Sequence, residues 1–366
     1  MRGRGGGRIP CALPDAVLDP ERILIVRLSH LGDVVHALGL HHALHAAYPR
    51  ARLGWAVQPE FGGLLAGLPG LSEVFEFRRR GGIAAWRDLA RDLAAFRPDW
   101  TIDAQGNAKS ALASLLSRAP RRVAPHGADW QERWAAWSAG EHAPPLAPPA
   151  RHAMQRMETL ARHLAPGTPL PLRTDAGLTP LERAAGAAEL AARAPAGAPL
   201  VLLHLSAPED VRGWPARHWR TLARALAARG HALLVLSGPT EADLGRALAV
   251  ELQDAHIAHW IDQRGLRLLA ALFAAAAERG ATLVACDSGP LHLAAAHGLA
   301  VVALEGPQDA ARTGPWPLAG PHAVVRSSRE PECAPCLKHV CHHPSGPVCM
   351  RELAPEQVLA ALVARR

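Results

Sequence analysis

The sequence predicts an α/β protein of two domains, and three observations carry that expectation. Short β-rich runs alternate with Ala/Leu-rich helical stretches over Ile23 to Val123 and again over Leu200 to Val325, the pattern of helices flanking a parallel sheet. A Pro-rich tract from Pro166 to Pro180 separates the two halves. The 366 residues are 49% hydrophobic with a mean hydropathy of +0.01, which supplies substantial cores and excludes a disordered or fibrous chain.

Taken in order, the first half offers strands at Ile23 to Val26, Arg52 to Val57, Val74 to Phe77 and Trp100 to Ile102. The run Arg22 to Val26 leads through Ser29-His30-Leu31-Gly32-Asp33 into a helical stretch from Val34. A parallel strand feeding a helix puts that turn at the carboxyl edge of a sheet, where open α/β folds bind ligands. Gly32 is expected to let the backbone turn sharply. Asp33 then sits in the first helical turn, where the macrodipole favours an ionised carboxylate. Taken alone, this segment favours a helix cap over a catalytic base. Trp130, Trp134 and Trp137 have the spacing of one helical face and are expected to pack into a core. Between the halves, Thr179-Pro180-Leu181-Glu182 has capping-box spacing with Pro at the first helical position. The second half offers strands at Leu200 to His204, Ala232 to Leu236, Ala258 to Ile261, Thr282 to Ala285 and Val301 to Leu304.

Composition limits the function classes. Met1 to Pro20 is basic and Gly/Pro-rich with no apolar centre, which does not fit a signal peptide. The longest apolar run, Leu268 to Ala277, is far short of the roughly 20 residues that span a bilayer, so the chain reads as cytoplasmic. The formal charge is +7, carried almost wholly by arginine, with Lys109 and Lys338 the only lysines. No aromatic-basic RNA motif, zinc-finger spacing or recognition helix accompanies that charge, so nucleic acid is not the expected partner. An anionic small molecule or membrane surface fits it.

The second half carries the richer constellation. After Thr282 to Ala285 come Cys286-Asp287-Ser288-Gly289-Pro290-Leu291-His292, with Ser288 and Gly289 at a helix entrance and Pro290 at its first position. Exposed amides at such an entrance form an anion site, and His292 adds a donor on the first turn. After Leu200 to His204, Ser206 offers a hydroxyl and Arg212 a guanidinium fit for phosphate. After Ala232 to Leu236, Glu241 offers a carboxylate to ribose hydroxyls. Together these describe a nucleotide-diphosphate pocket facing a carboxylate from the first half.

Four ordered segments resemble glycosyltransferase family 9, the ADP-heptose-dependent heptosyltransferases of the lipopolysaccharide core. They are Ser29 to His36, Asp103 to Ser110 (Asp-Ala-Gln-Gly-Asn-Ala-Lys-Ser), Arg212-Gly213-Trp214-Pro215, and Asp287 to Leu293. The resemblance implies a GT-B fold of two Rossmann-like domains with a cleft between them. It implies a poorly ordered extension over 1–20, an acceptor-binding domain over 21–173, a donor-binding domain over 174–353 and a final helix, 354–366, packing back on the first domain. It implies an inverting transfer from ADP-heptose, the donor being a substrate and no cofactor being required, to an anionic lipopolysaccharide-core or related glycan, with peripheral association at the inner membrane. Asp33 matches the catalytic base. Ser206, Arg212, Glu241, Asp287, Ser288, Gly289 and His292 match donor contacts, with Arg212 standing where the family commonly has lysine, a change of reach and geometry. Gly32, the basic run Arg78-Arg79-Arg80, Gln105 and Lys109 are expected on the acceptor side. Another nucleotide sugar, or a binding protein with degraded chemistry, are the alternatives.

One motif stands apart from this scheme. Cys333, Cys336, Cys341 and Cys349 have knuckle-like spacing. Reduced packing cysteines are the first reading, a structural zinc the second, and disulfides the last.

Overall fold

The computed structural model describes residues 19–206, 209–251, 257–261 and 265–364. The expected N-terminal extension therefore lies outside the described residues, apart from Asp19 and Pro20.

The first sheet comprises β1 (Arg22–Val26), β2 (Arg52–Val57), β3 (Leu71–Glu76), β4 (Trp100–Asp103), β5 (Arg121–Ala124) and β6 (Glu141–His142), in the order β3-β2-β1-β4-β5-β6. The second comprises β7 (Leu200–His204), β8 (Ala232–Ser237), β9 (Ile257–Ile261), β10 (Thr282–Cys286), β11 (Ala300–Leu304) and β12 (His322–Val325), in the order β12-β11-β10-β7-β8-β9. Every pairing is parallel. Read from β9, the second sheet repeats the order of the first, so each half is a Rossmann-like unit and the whole is a GT-B fold. The order reverses between β1 and β4 and again between β7 and β10, and ligands bind such sheets outside the carboxyl ends at the reversal.

The strands are apolar because helices cover both faces. Ile23, Leu24, Ile25 and Val26 of β1 are all fully buried. One continuous apolar cluster runs from β1 and the helix Leu31–Ala47 through to β10 and the helix Gly289–Ala296, so the two halves share an apolar contact. Their principal contact is the packing of helix Leu31–Ala47 on helix Gly289–Ala296.

The link between the halves forms as its sequence predicts. Thr179 caps helix Pro180–Ala191: its Oγ accepts the Glu182 amide at 3.3 Å, while Glu182 accepts the Thr179 amide at 2.8 Å. Arg267 then pins three segments together. It pairs with Glu182, and donates to the carbonyls of Leu64 at 3.1 Å and Ala176 at 3.0 Å. Glu182 in consequence sits low, at about 2, chiefly through the Arg267 hydrogen bond.

Three expectations need correction. The final helix, Pro355–Val363, packs on helix Ala216–Ala227 and on β11 and β12, not back on the first domain. Val358 joins the buried cluster around Trp214 and Trp219, and Trp214 Nε1 anchors the approach by donating to the Leu353 carbonyl at 2.8 Å. The tryptophan segment does not share one buried face: Trp130 is buried, but Trp134 and Trp137 are 69% and 70% exposed. Two short 3-10 turns, Gly127–Asp129 and Arg133–Ser138, replace the continuous α-helix that the spacing requires, and their tighter winding breaks the face. Gly32 is not the sharp point of its turn. The positive φ, 63°, belongs to His30, the residue before the helix.

Candidate active site

Two helix entrances meet across the cleft, one following β1 and the other following β10. A Cβ on Gly32 would stand 2.5 Å from His292 Cδ2, and a Cβ on Gly289 would stand 2.5 Å from Leu31 Cβ. Such distances are far inside van der Waals contact, so each glycine makes room for a side chain of the opposite half. The two turns interlock, and that close approach is what the motifs' glycines supply here.

On the first turn, Asp33 is partly open to the cleft, with 29% of its side chain accessible, and is paired with Arg27. Arg27 also donates to the Ala104 carbonyl at 2.7 Å, which fixes the guanidinium beside the carboxylate. Burial works against the charge on Asp33, but Arg27 and the His30 hydrogen bond outweigh it and hold the carboxyl far below its ordinary 3.8. Asp33 is thus ionised. His30 makes no side-chain cap on the helix, and its left-handed backbone is a strained conformation of the sort concentrated at functional sites.

The cleft beside Asp33 holds about 410 Å³ and is lined from both halves, by Arg27, His36, Gln105, Asp129, Arg156 and Arg312 among others. Three guanidiniums face two carboxylates there, which favours an anionic ligand. Burial, reinforced by Arg27 and Arg312, lowers the pKa of Arg156 despite Asp129. At the reversal point, Asp103 Oδ1 accepts the amides of Gln105 and Gly106 at 2.9 Å each, while its buried Oδ2 has no partner. Gln105 in turn accepts the Leu28 amide at 2.7 Å, locking the turns after β1 and β4 to one another.

On the second turn, Ser288 is the N-cap residue of helix Gly289–Ala296, with Pro290 in the first turn. The Ser288 Oγ is buried and has no hydrogen-bond partner, an orphan donor at the positive end of a helix. His292 lies 3.3 Å from Asp287 Oδ1, and its ring centroid is 4.9 Å from that of His36 in the opposite half. Burial, then the neighbouring His292, drives His36 well below its ordinary value, so it stands neutral beside Asp33.

The other residues named from sequence take supporting or outlying places. Arg212 is held by Asp210, at 3.0 Å and 2.6 Å, and donates to the Asp287 carbonyl at 3.0 Å; it braces the turn after β10 from the turn after β7. Ser206 Oγ accepts the Trp214 amide at 3.1 Å. Glu241 ends the short turn Pro239–Glu241 after β8, and its charge opposes the burial that lowers His204 to about 4. Gln105 lines the Asp33 cleft. Arg78, Arg79 and Arg80 line a separate opening with Gln58 and Glu60, and Lys109 is exposed in the first turn of helix Ala108–Leu116. Cys333, Cys336, Cys341 and Cys349 surround one pocket of about 20 Å³. Burial, then the three neighbouring thiols, raises Cys349.

Four residues escaped the sequence reading: Arg27, Arg156, Arg312 and Glu305. Glu305 follows β11, is 1% exposed and leaves Oε2 unpartnered; burial and the charge of Asp287 raise its carboxyl well above the ordinary range. Arg27 and Glu305 were within reach, since each directly follows a strand at its carboxyl end. Arg156 and Arg312 come from segments with no motif, in a chain where arginine is common everywhere.

Comparison with known proteins identifies the family. The family model described as "Glycosyltransferase family 9 (heptosyltransferase)" matches residues 86–345. Lipopolysaccharide heptosyltransferase 1 of Pseudomonas aeruginosa is 31% identical over 94% of this chain and 97% of its own. Among solved structures, a family 9 glycosyltransferase from Veillonella parvula superposes with a TM-score of 0.73 at 19% identity, covering 95% of this chain and 97% of that one. The E. coli heptosyltransferase WaaC with ADP gives 0.69 at 23% identity, covering 94% of this chain and all of that one. The chain therefore belongs to glycosyltransferase family 9, the heptosyltransferases.

Proposed function

We propose that this protein transfers a heptose from ADP-heptose to an acidic sugar of the lipopolysaccharide inner core, with Asp33 as general base. The observation that carries the reading is the interlock of Gly32 with His292 and of Gly289 with Leu31, which brings an ionised carboxylate from one half against an anion-binding helix entrance from the other. The relative named a lipopolysaccharide heptosyltransferase 1 and the fold relatives solved with ADP and with ADP-2-deoxy-2-fluoro heptose support the donor and the pathway.

In this reading the donor diphosphate lies at Ser288 and Gly289. The helix amides, the Ser288 hydroxyl and His292 meet the charge that grows on it as it leaves. Glu241 and Ser206 reach toward ribose and phosphate, and Arg212 acts by holding Asp287 and its turn in place. The acceptor enters the Asp33 cleft. Asp33 takes the proton of the attacking hydroxyl, the oxygen bonds to the anomeric carbon from the opposite face, and the carbon–oxygen bond to ADP breaks, so the sugar is inverted. No cofactor enters this scheme.

A carboxylate held so low is a weak base. The acceptor's own carboxylate has Arg27, Arg156 and Arg312 to engage, and when it draws Arg27 toward itself the base strengthens as the hydroxyl arrives. Gln105 flanks that position, while Arg78, Arg79, Arg80 and Lys109 meet outlying anionic groups of the acceptor from the rim. Because such an acceptor is carried on a lipid, peripheral contact with the membrane belongs to the same reading.

Calorimetric titration with nucleotide sugars tests the donor. Binding of ADP and ADP-heptose with no response to uridine sugars is the expected result, and tight binding of a uridine sugar with none of ADP overturns it.

A further inference from the structure

The face of the first domain beside the Asp33 cleft carries exposed large apolar side chains. Trp134 and Trp137 are 69% and 70% exposed, Ile83 74% and Leu112 40%. A tryptophan this bare is unusual for a side chain that buries so much apolar area when it is covered. The four belong to one surface by topology. The segments that carry them follow the carboxyl ends of β3, β4 and β5, which share an edge in a parallel sheet. Helix Gly82–Phe96, which begins with Ile83, packs on helix Ala108–Leu116, which bears Leu112, and that helix packs on the turn Arg133–Ser138.

The same rim is basic. Arg78, Arg79, Arg80, Lys109 and Arg133 are all exposed on it. Of the acidic side chains nearby, Glu132 is half-buried and accepts the Ala108 amide at 3.1 Å, Glu60 is exposed beside the arginine run, and Glu76 and Asp88 are exposed in an opening they share with Arg78, Asp88 being paired with Arg91; the five cations outnumber them on the rim. The rim also continues into the site, since Ala128, Asp129, Trp130 and Gln131, directly before Arg133–Ser138, line the Asp33 cleft.

We propose that Trp134, Trp137, Leu112 and Ile83, ringed by these cations, form the surface by which the enzyme docks on an anionic lipid bilayer, placing the acceptor cleft at the headgroup level. Indole rings settle at that level, where their apolar body and N–H are both satisfied. Clustered basic side chains bind anionic headgroups, and apolar and electrostatic contributions combine in interfacial attachment. A second copy of the chain is the poorer occupant, because a symmetric contact would set the five cations against themselves. Among the described residues no helix is long and apolar enough to cross a membrane, so this is attachment from one side.

The inference rests on the acceptor being lipid-borne, as proposed above, but vesicle binding is measured without acceptor, so the two readings fail separately. Full-length protein is sedimented with vesicles of phosphatidylethanolamine and phosphatidylglycerol, and with vesicles of phosphatidylcholine alone. Binding to the first and little to the second is expected. Trp134→Ala/Trp137→Ala together should weaken that binding by roughly tenfold or more, and Arg133→Glu should weaken it several-fold with a steep salt dependence. Transfer to a water-soluble, delipidated acceptor should be unchanged in both variants, while transfer to acceptor embedded in vesicles falls with the binding. Absence of vesicle binding by the native protein overturns the proposal. So does equal binding by the double tryptophan variant, or a concentration-dependent dimer that the variant abolishes. Failure of native protein to transfer to soluble acceptor counts against the proposed reaction instead.

Discussion

The turns after β1 and β10 are built alike and finished differently. Both carry a parallel strand into a helix at a sheet's reversal point, both put a glycine in the first turn, and both use it to admit a side chain from the other half. The first helix end meets a carboxylate of its own: Asp33 sits in its first turn with Arg27 against it. The second leaves Ser288 Oγ buried and unpartnered, with His292 beside it. One positive helix end faces a carboxylate of its own first turn, and the other faces an unpartnered hydroxyl. In the proposed reaction the same local geometry serves as a base in one domain and as a leaving-group site in the other, and the difference rests on the residue next after each glycine, Asp33 in one turn and Pro290 in the other.

Forcing the turns apart is expected to have the largest effect. Gly32→Val places atoms on the His292 ring and displaces both Asp33 and the donor turn, so transfer should fall by about 10³-fold, since misplacement near 1 Å alone costs roughly 10². Steady-state assays check this, and a loss under tenfold would mean that the halves do not work in this closed arrangement. Next comes the donor turn by itself. Ser288→Ala and His292→Ala should each weaken ADP binding by roughly tenfold, one hydrogen bond to a charged group apiece, without changing acceptor affinity; calorimetry that finds ADP binding intact would remove these residues from the donor site.

The Arg27 contact sharpens the comparison through pH. A carboxyl depressed below its ordinary 3.8 stays ionised as pH falls until it passes that lowered value, so native activity should show no acid limb from Asp33 near neutrality. In Arg27→Gln burial, the largest influence on Asp33, is left opposing its charge. The acid limb should then move upward by about one pH unit or more, and an unmoved limb would contradict the assignment. The smallest effect is expected at the link between the halves: Arg267→Ala removes the pin between Glu182, Leu64 and Ala176 and should lower the melting temperature by about 5 °C, with transfer at low temperature largely kept.

Much of this was legible in the sequence because parallel sheets write themselves as unbroken apolar runs. Nine strands stood out so, as did the Thr179 capping box. The strands Arg121–Ala124, Glu141–His142 and His322–Val325 did not, being short edge or near-edge strands with charged or half-exposed positions. For the site, Asp33 and the turn Asp287 to His292 were legible because a helix entrance has local chemistry. The cleft proposed for the acceptor was not, since Arg27, Arg156 and Arg312 converge only through the packing of both halves. The Gly32 and Gly289 contacts are long-range for the same reason, and local sequence offered a turn where the fold uses a close approach. Trp134 and Trp137 read as core because their spacing matches an α-helix; two 3-10 turns put them outside.

The division of labour between the two turns is tested most directly by one variant in one assay. Asp33→Asn keeps the shape and removes the charge. With ADP-heptose and soluble acceptor, turnover is expected to fall by about 10³-fold while ADP affinity, measured on the same preparation, stays within about twofold, because the donor turn does not need the carboxylate. Turnover near that of the native protein would show that Asp33 is not the base, and a matching collapse of ADP binding would show that the two turns are not separate in what they do.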